Sequence, residues 1–395
     1  MDFSREHIEY RVKQIGDSSL VWLKTLNRYL QLEEPAFLVF QQFADGLIMK
    51  EIVQNFAAEY AIPEADARRF VSEIKHRFES LYREFQVPDD PGVPPPARAL
   101  PFLSYSERNI KVSGKIIRFT FGDSVMEKYL FPHFAYLEFD TDQPVCDLHV
   151  EFLNHHGKVF MKVNQEQLYA WPANQIYKLK GALFMQILNE IHDEIKGEWM
   201  GVIHAASVSL GNRAVMFPAR SGGGKSTLAS LMMAHGCSLL SDDFTPIALN
   251  GGIHSFPGSI SLKSGSLPVL ESYFPELMET RESQSPSKEE AVRYLRPQQP
   301  EYPANGGFSY AELASSVQVH AIVFVQYKSQ KACELERISN LTALNDFLTE
   351  SWLPDDARVS EKFLDWFFEI PCYTLHYGDN LKAVELILSL LKDVT

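Results

Sequence analysis

Along the first stretch of the chain, apolar residues recur at helical spacing in three runs. Phe37, Phe40 and Phe43 follow Pro35; Ile52, Val53, Phe56 and Ala57 fall within 49–60; Phe70, Val71, Ile74, Phe78 and Leu81 follow Pro63. Short apolar runs at 21–23 and 29–31 predict two small strands ahead of them, so this part reads as a winged-helix-like α+β unit. Between 103 and 164 the period changes to two. The runs at 116–121, 135–139 and 158–163, rich in β-branched and aromatic residues, predict strands. A strongly apolar helix over 179–195, a strand at 201–205, a strand from Val319 and a helix over 381–391 complete the pattern.

Prolines cluster at 86–97, where they remove backbone donors and favour extended chain. That segment predicts a linker and sets the boundaries: 1–87 a small amino-terminal domain, 88–102 the linker, 103–200 a β-rich lobe with its connecting helix, and 201–395 an α/β core. A length of 395 residues fits two or three domains. The segment 282–307, rich in Ser, Pro, Gln and Asn, predicts a long exposed loop.

The formal charge of −14 argues against nonspecific binding to nucleic acid, and no apolar run is long enough to cross a membrane. The amino terminus lacks a basic region followed by an apolar core, so a cytoplasmic protein is expected. Cys146, Cys237, Cys333 and Cys372 are widely spaced and read as reduced thiols. His155 and His156, and Glu190, His192 and Glu194, lack zinc spacing.

The chemistry concentrates at 217–227, where an apolar strand runs into Ala219, Arg220, Ser221, Gly222, Gly223, Gly224, Lys225, Ser226 and Thr227. Glycines let backbone N–H groups curl toward an anion, and a helix opening at Lys225 adds its positive end. The pattern predicts a phosphate loop for a nucleotide, read as ATP with GTP left open, with Lys225 on the terminal phosphates and Ser226 on Mg²⁺; Ala219 stands where such loops usually have glycine. A strand beginning at Ser238 ends in Asp242 and Asp243, two carboxylates available to hold the metal and to take a proton from an attacking hydroxyl.

Two resemblances follow from these residues. The spacing of His204, Lys225 and the Asp242–Asp243 pair resembles the HPr kinase/phosphorylase family, whose P-loop core is akin to phosphoenolpyruvate carboxykinase. It implies a serine kinase in which Gly222, Gly224, Lys225 and Ser226 bind nucleotide and metal, Asp242 or Asp243 is the base, and His204 stands at the site's edge. Residues 259–263 and 292–297 are similar to segments of that group in which basic residues face the phosphates, which implies a role for Lys263, Arg293 and Arg296. The family's further acidic metal ligand and its phosphorylase signature are not found here. Residues 15–85, through Leu38, Gly46, Ile52, Phe56, Tyr60, Phe70, Val71 and Leu81, resemble the PqqD family and imply that 1–87 captures a precursor-peptide leader. A structural or dimerising module would use the same apolar positions, and a homo-oligomer is compatible with them. A small-molecule kinase and a nucleotide-gated binding protein remain the alternative functions.

Overall fold

The computed structural model describes residues 8–85, 100–141, 145–218, 222–280, 282–284, 291–297, 316–329 and 331–392. It is a mixed α/β protein with several sheets and helices, in two compact units. Among the described residues no helix is long and apolar enough to cross a membrane. The proline-rich segment 86–97, and most of 282–307, lie outside the described residues.

The amino-terminal unit begins with an antiparallel sheet of Tyr10–Ile15, Ser18–Leu23 and Arg28–Glu33, in that spatial order. Helices Glu34–Ala44, Met49–Glu59 and Glu64–Phe85 follow, at the positions their apolar spacing predicts. Val21, Leu23, Phe40, Ile52, Val71 and Phe78 share one core. The middle strand is buried at five consecutive positions, Ser19, Leu20, Val21, Trp22 and Leu23, which means that both of its faces are covered.

A carboxy-terminal segment, 353–367, belongs to this same unit, although the sequence reading leaves it in the core at 201–395. Phe363, fully buried on the helix Ala357–Glu369, lies 5.8 Å from the Tyr29 ring. Arg11 pairs with Glu361 at 2.8 Å and Lys13 pairs with Asp365. Asn27, in left-handed conformation, accepts from the Trp22 indole at 3.0 Å and donates to the Leu353 carbonyl at 3.0 Å.

The larger unit has two apolar cores. One lies under a sheet ordered Ser106–Val112, Lys115–Phe121, Leu148–His155, Lys158–Val163 and Gln167–Pro172. The second and third strands are parallel, because the chain between them crosses over through the helix Ser124–Leu130 and two short 3-10 turns. One of those turns, Ala135–Leu137, replaces the strand predicted over 135–139; Phe134 and Leu137, three apart, both turn into the core. The helix Ile176–Ile191 packs on this sheet through Leu179, Leu183, Phe184, Ile187, Leu188 and Ile191.

The second core surrounds the helix Lys225–Ala234. Strands Arg213–Pro218, Val317–Tyr327 and Cys372–Tyr377 run parallel beside one another. Ala205–Leu210 pairs antiparallel with Arg213–Pro218 and with Ser238–Ser241. Trp199–Ile203 lies elsewhere in the same sheet, between Thr245–Ala248 and Ser351–Trp352. The predicted strand at 201–205 is thus split, with His204 at the break. A small separate sheet joins Ile260–Lys263, Ala291–Leu295 and Ser283–Gln284, so part of the predicted 282–307 loop is strand.

Candidate nucleotide site

The glycine segment sits past the carboxyl end of Arg213–Pro218, at the end of a parallel sheet where ligands commonly bind. Gly222 and Gly224 have φ of +87° and +95°, conformations that side-chain-bearing residues rarely adopt. The Tyr327 N–H donates to the Gly223 carbonyl at 3.0 Å, and the Tyr377 hydroxyl donates to the Gly224 carbonyl at 3.2 Å. Both tyrosines end parallel strands, so the bend is pinned from the sheet. The Gly224 carbonyl also accepts the helix's bond from Leu228 N–H at 2.9 Å. Ala219, Arg220 and Ser221 lie outside the described residues.

The first two helical residues each meet one aspartate. The Lys225 ammonium contacts Asp243 Oδ1, while the Ser226 hydroxyl donates to Asp242 Oδ1 at 2.9 Å. Asp242 Oδ2 accepts from the Ser261 N–H at 3.3 Å. Asp243 occupies the left-handed region at φ +63°, a conformation that costs about 1–2 kcal/mol for a side-chain-bearing residue. That turn lets two consecutive carboxylates meet the same helix end on different residues.

His204 closes the cluster. Its Nε2 lies 2.9 Å from Lys225 Nζ and its Nδ1 lies 3.3 Å from the Asp243 carbonyl. With Nδ1–H donating to that carbonyl, Nε2 is left to accept from the ammonium. The His204 N–H donates to the Glu350 carbonyl at 2.6 Å, which anchors the histidine to the neighbouring strand pair.

The two carboxylates have opposite electrostatics. Burial, and after it the charge of Asp243, pushes Asp242 up to about 7. Burial would raise Asp243 too, but the charges of Lys225 and, after it, Lys180 outweigh it and hold that carboxyl well below the usual range. Burial works against the charged form of Lys225, yet the two aspartates keep its ammonium above the usual lysine range. Asp242 is buried, whereas the Asp243 side chain keeps 32% of its surface open.

The later basic residues divide. Lys263 ends the strand that supplies the Ser261 N–H and precedes the turn Ser264–Ser266, whose Ser266 hydroxyl lies 2.7 Å from that of Thr227. Arg293 does not face the helix end. Its guanidinium donates to the carbonyls of Leu277, Met278 and Thr280 at 3.2, 2.5 and 2.8 Å, so it is committed to holding that loop. Arg296 is exposed on the wall of a cleft of about 1460 Å³ that Arg108, Lys128 and Tyr294 also line.

Pattern reading missed Lys180, Ser261 and Tyr377. Lys180, on a helix of the β-rich lobe, stands beside the Tyr129 and Phe184 rings and feels the charge of both aspartates, and no local motif surrounds it. Ser261 acts through its backbone, which any residue could supply. Neither a protein-family model nor a curated protein matches this chain.

Among the described residues no group of three His, Cys, Asp or Glu side chains could hold a metal ion by itself. One hydroxyl beside one carboxylate is instead the partial ligand set that Mg²⁺ takes when a nucleotide's phosphates complete its coordination. The bend, the ammonium and this pair therefore fit an Mg–nucleotide.

Proposed function

We propose that this chain is an ATP-dependent, Mg²⁺-requiring kinase that phosphorylates a hydroxyl, with a core of the HPr kinase/phosphoenolpyruvate carboxykinase type. The observation that carries the reading is the meeting of Lys225, Ser226, Asp242, Asp243 and His204 at one helix start beside a glycine bend.

Backbone N–H groups of the bend and Lys225 receive the phosphates. Ser226 and Asp242 would hold Mg²⁺, which would supply positive charge against the phosphates as negative charge develops in the transfer. Lys225 cannot serve Asp243 and the phosphates equally well. As it turns to the nucleotide, Asp243 loses the charge that depresses it most and becomes a better base. Asp243, the more open carboxylate, then takes the acceptor's proton. The acceptor oxygen forms a bond to the γ-phosphorus, the bond from that phosphorus to the β-phosphate bridge breaks, and ADP leaves.

The acceptor we favour is a serine in a ribosomally made precursor peptide or small protein. A winged-helix-like reading of the amino-terminal unit supports it, since the strands Tyr10–Ile15 and Arg28–Glu33 are the edges of its sheet and an extended leader could add to one of them. Transfer from γ-labelled ATP decides the matter. Label on peptide serine supports the reading; label on a metabolite moves it to a small-molecule kinase; tight ATP binding with no labelled acceptor leaves a nucleotide-gated binder. Ser226→Ala should raise the Mg²⁺ concentration needed for half-maximal rate, while Asp243→Asn should lower kcat at least a hundredfold.

A further inference from the structure

Lys180 lies on the helix Ile176–Ile191, in the lobe that precedes the glycine bend. Its ammonium stands 5.9 Å from the ring centre of Tyr129 and 5.7 Å from that of Phe184. The Phe184 ring meets Phe244 edge-on at 5.4 Å, and Phe244 is the residue after Asp243. Lys180 therefore approaches the aspartate pair from the lobe, whereas Lys225 approaches it from the helix start.

No described residue gives Lys180 a hydrogen bond or an ion pair. Burial lowers its pKa, as does the charge of Lys225, and the two aspartates offset this in part. Contact with two aromatic faces recovers about 0.5–2 kcal/mol, less than it costs to strip an ammonium of water. An aliphatic side chain of similar length would fill the space without that penalty. The position makes physical sense once an anion with several oxygens arrives between Lys180 and Lys225.

Building on the nucleotide reading above, we propose that Lys180 grips the γ-phosphoryl group, so that the site discriminates triphosphate from diphosphate through a cation on the β-rich lobe. It neutralises the phosphoryl oxygens opposite Lys225 while the bond to the bridge breaks. The bend and Lys225, which would serve ADP as well as ATP, do not need it.

The test measures affinities of the full chain for Mg–ATP and Mg–ADP before and after Lys180→Met. The expected result is ADP affinity within twofold of wild type and ATP affinity at least tenfold weaker, with Lys180→Arg keeping most of the preference. In wild type, ATP but not ADP should shield Lys180 from an amine-acylating reagent, read by peptide mass spectrometry; this arm stands even if the methionine variant fails to fold. An unchanged ATP-to-ADP ratio in a folded Lys180→Met protein, or equal shielding by both nucleotides, would overturn the role of Lys180 and leave the nucleotide site standing. Wild-type protein that binds neither nucleotide would overturn both.

Discussion

Tyr377 and Gly224 are matched to each other: the tyrosine hydroxyl donates to the glycine carbonyl at 3.2 Å, and a Cβ placed on Gly224 would lie 2.5 Å from that hydroxyl oxygen. Gly222 has a similar positive φ but open space where its Cβ would go. Gly224→Ala therefore meets both strain and a clash, and Gly222→Ala strain alone. We expect losses of about 2–3 and about 1 kcal/mol respectively in urea unfolding, with nucleotide affinity falling further for the first. Tyr377→Phe, which removes the hydrogen bond and leaves space, should cost about 1 kcal/mol. Equal costs for the two glycine variants would show that packing against Tyr377 is unimportant.

Asp242 carries a raised pKa, so between the ordinary aspartate value and about 7 the folded protein holds a proton that the unfolded chain releases. Stability from this group falls as pH rises through that window. In the absence of nucleotide, Asp242→Asn should be more stable than wild type at pH 8, by about 1–2 kcal/mol, and the advantage should vanish near pH 4. Mg²⁺ requires the ionised carboxylate, so wild-type metal affinity should climb through neutrality and lose that slope in the variant. Thermal melts and Mg²⁺ titrations at matched pH give both readouts.

His133 shows the opposite sign. Burial, and after it the charge of Lys180, lowers this histidine to about 3, and its ring packs edge-on against Phe184 and Tyr294. Below the ordinary histidine pKa the unfolded chain takes up a proton that the folded protein refuses, so stability is lost as pH falls from about 6.5 toward 3, by up to about 1.4 kcal/mol per pH unit. A His133→Phe variant should melt with a shallower dependence below pH 6.5. Identical slopes for variant and wild type would place the acid sensitivity elsewhere.

Helix Ala357–Glu369 bears on how the amino-terminal unit can be dissected. Deleting 1–87 would uncover Phe363, and a fragment ending at residue 90 would lack 353–367, which belong to its own compact unit. Phe363→Ala should cost about 3–5 kcal/mol in that unit's unfolding transition. Arg11→Ala and Lys13→Ala, which remove partly exposed ion pairs, should each cost less than about 1 kcal/mol. A single polypeptide joining 8–85 to 353–367 should melt more cooperatively than 8–85 alone, a comparison that circular dichroism can make.

Several features are legible along the chain alone. The three amino-terminal helices, the period-two strands at 116–121 and 158–163, and a helix starting at Lys225 all follow from local spacing, because burial of one face imposes a period of 3.6 or 2. Glycines at positive φ are equally visible, since a bend of that kind excludes most other residues. The segment 135–139 misleads because Tyr136, Leu137 and Phe139 suit a strand by composition, and composition does not record that Phe134 and Leu137 enter the same core from a 3-10 turn.

By itself the sequence determined a glycine bend after an apolar strand, at Gly222 and Gly224, and a helix opening with Lys225 and Ser226, because these depend on neighbours along the chain. Only the tertiary structure decided which aspartate meets Ser226 and which meets Lys225, that Arg293 is spent on carbonyls, that Lys180 approaches from another lobe, and that 353–367 belongs with the first ninety residues. Those outcomes depend on contacts between residues remote in sequence, whose formation is governed by burial and by the direction each strand or helix gives its side chains, and no local pattern encodes them.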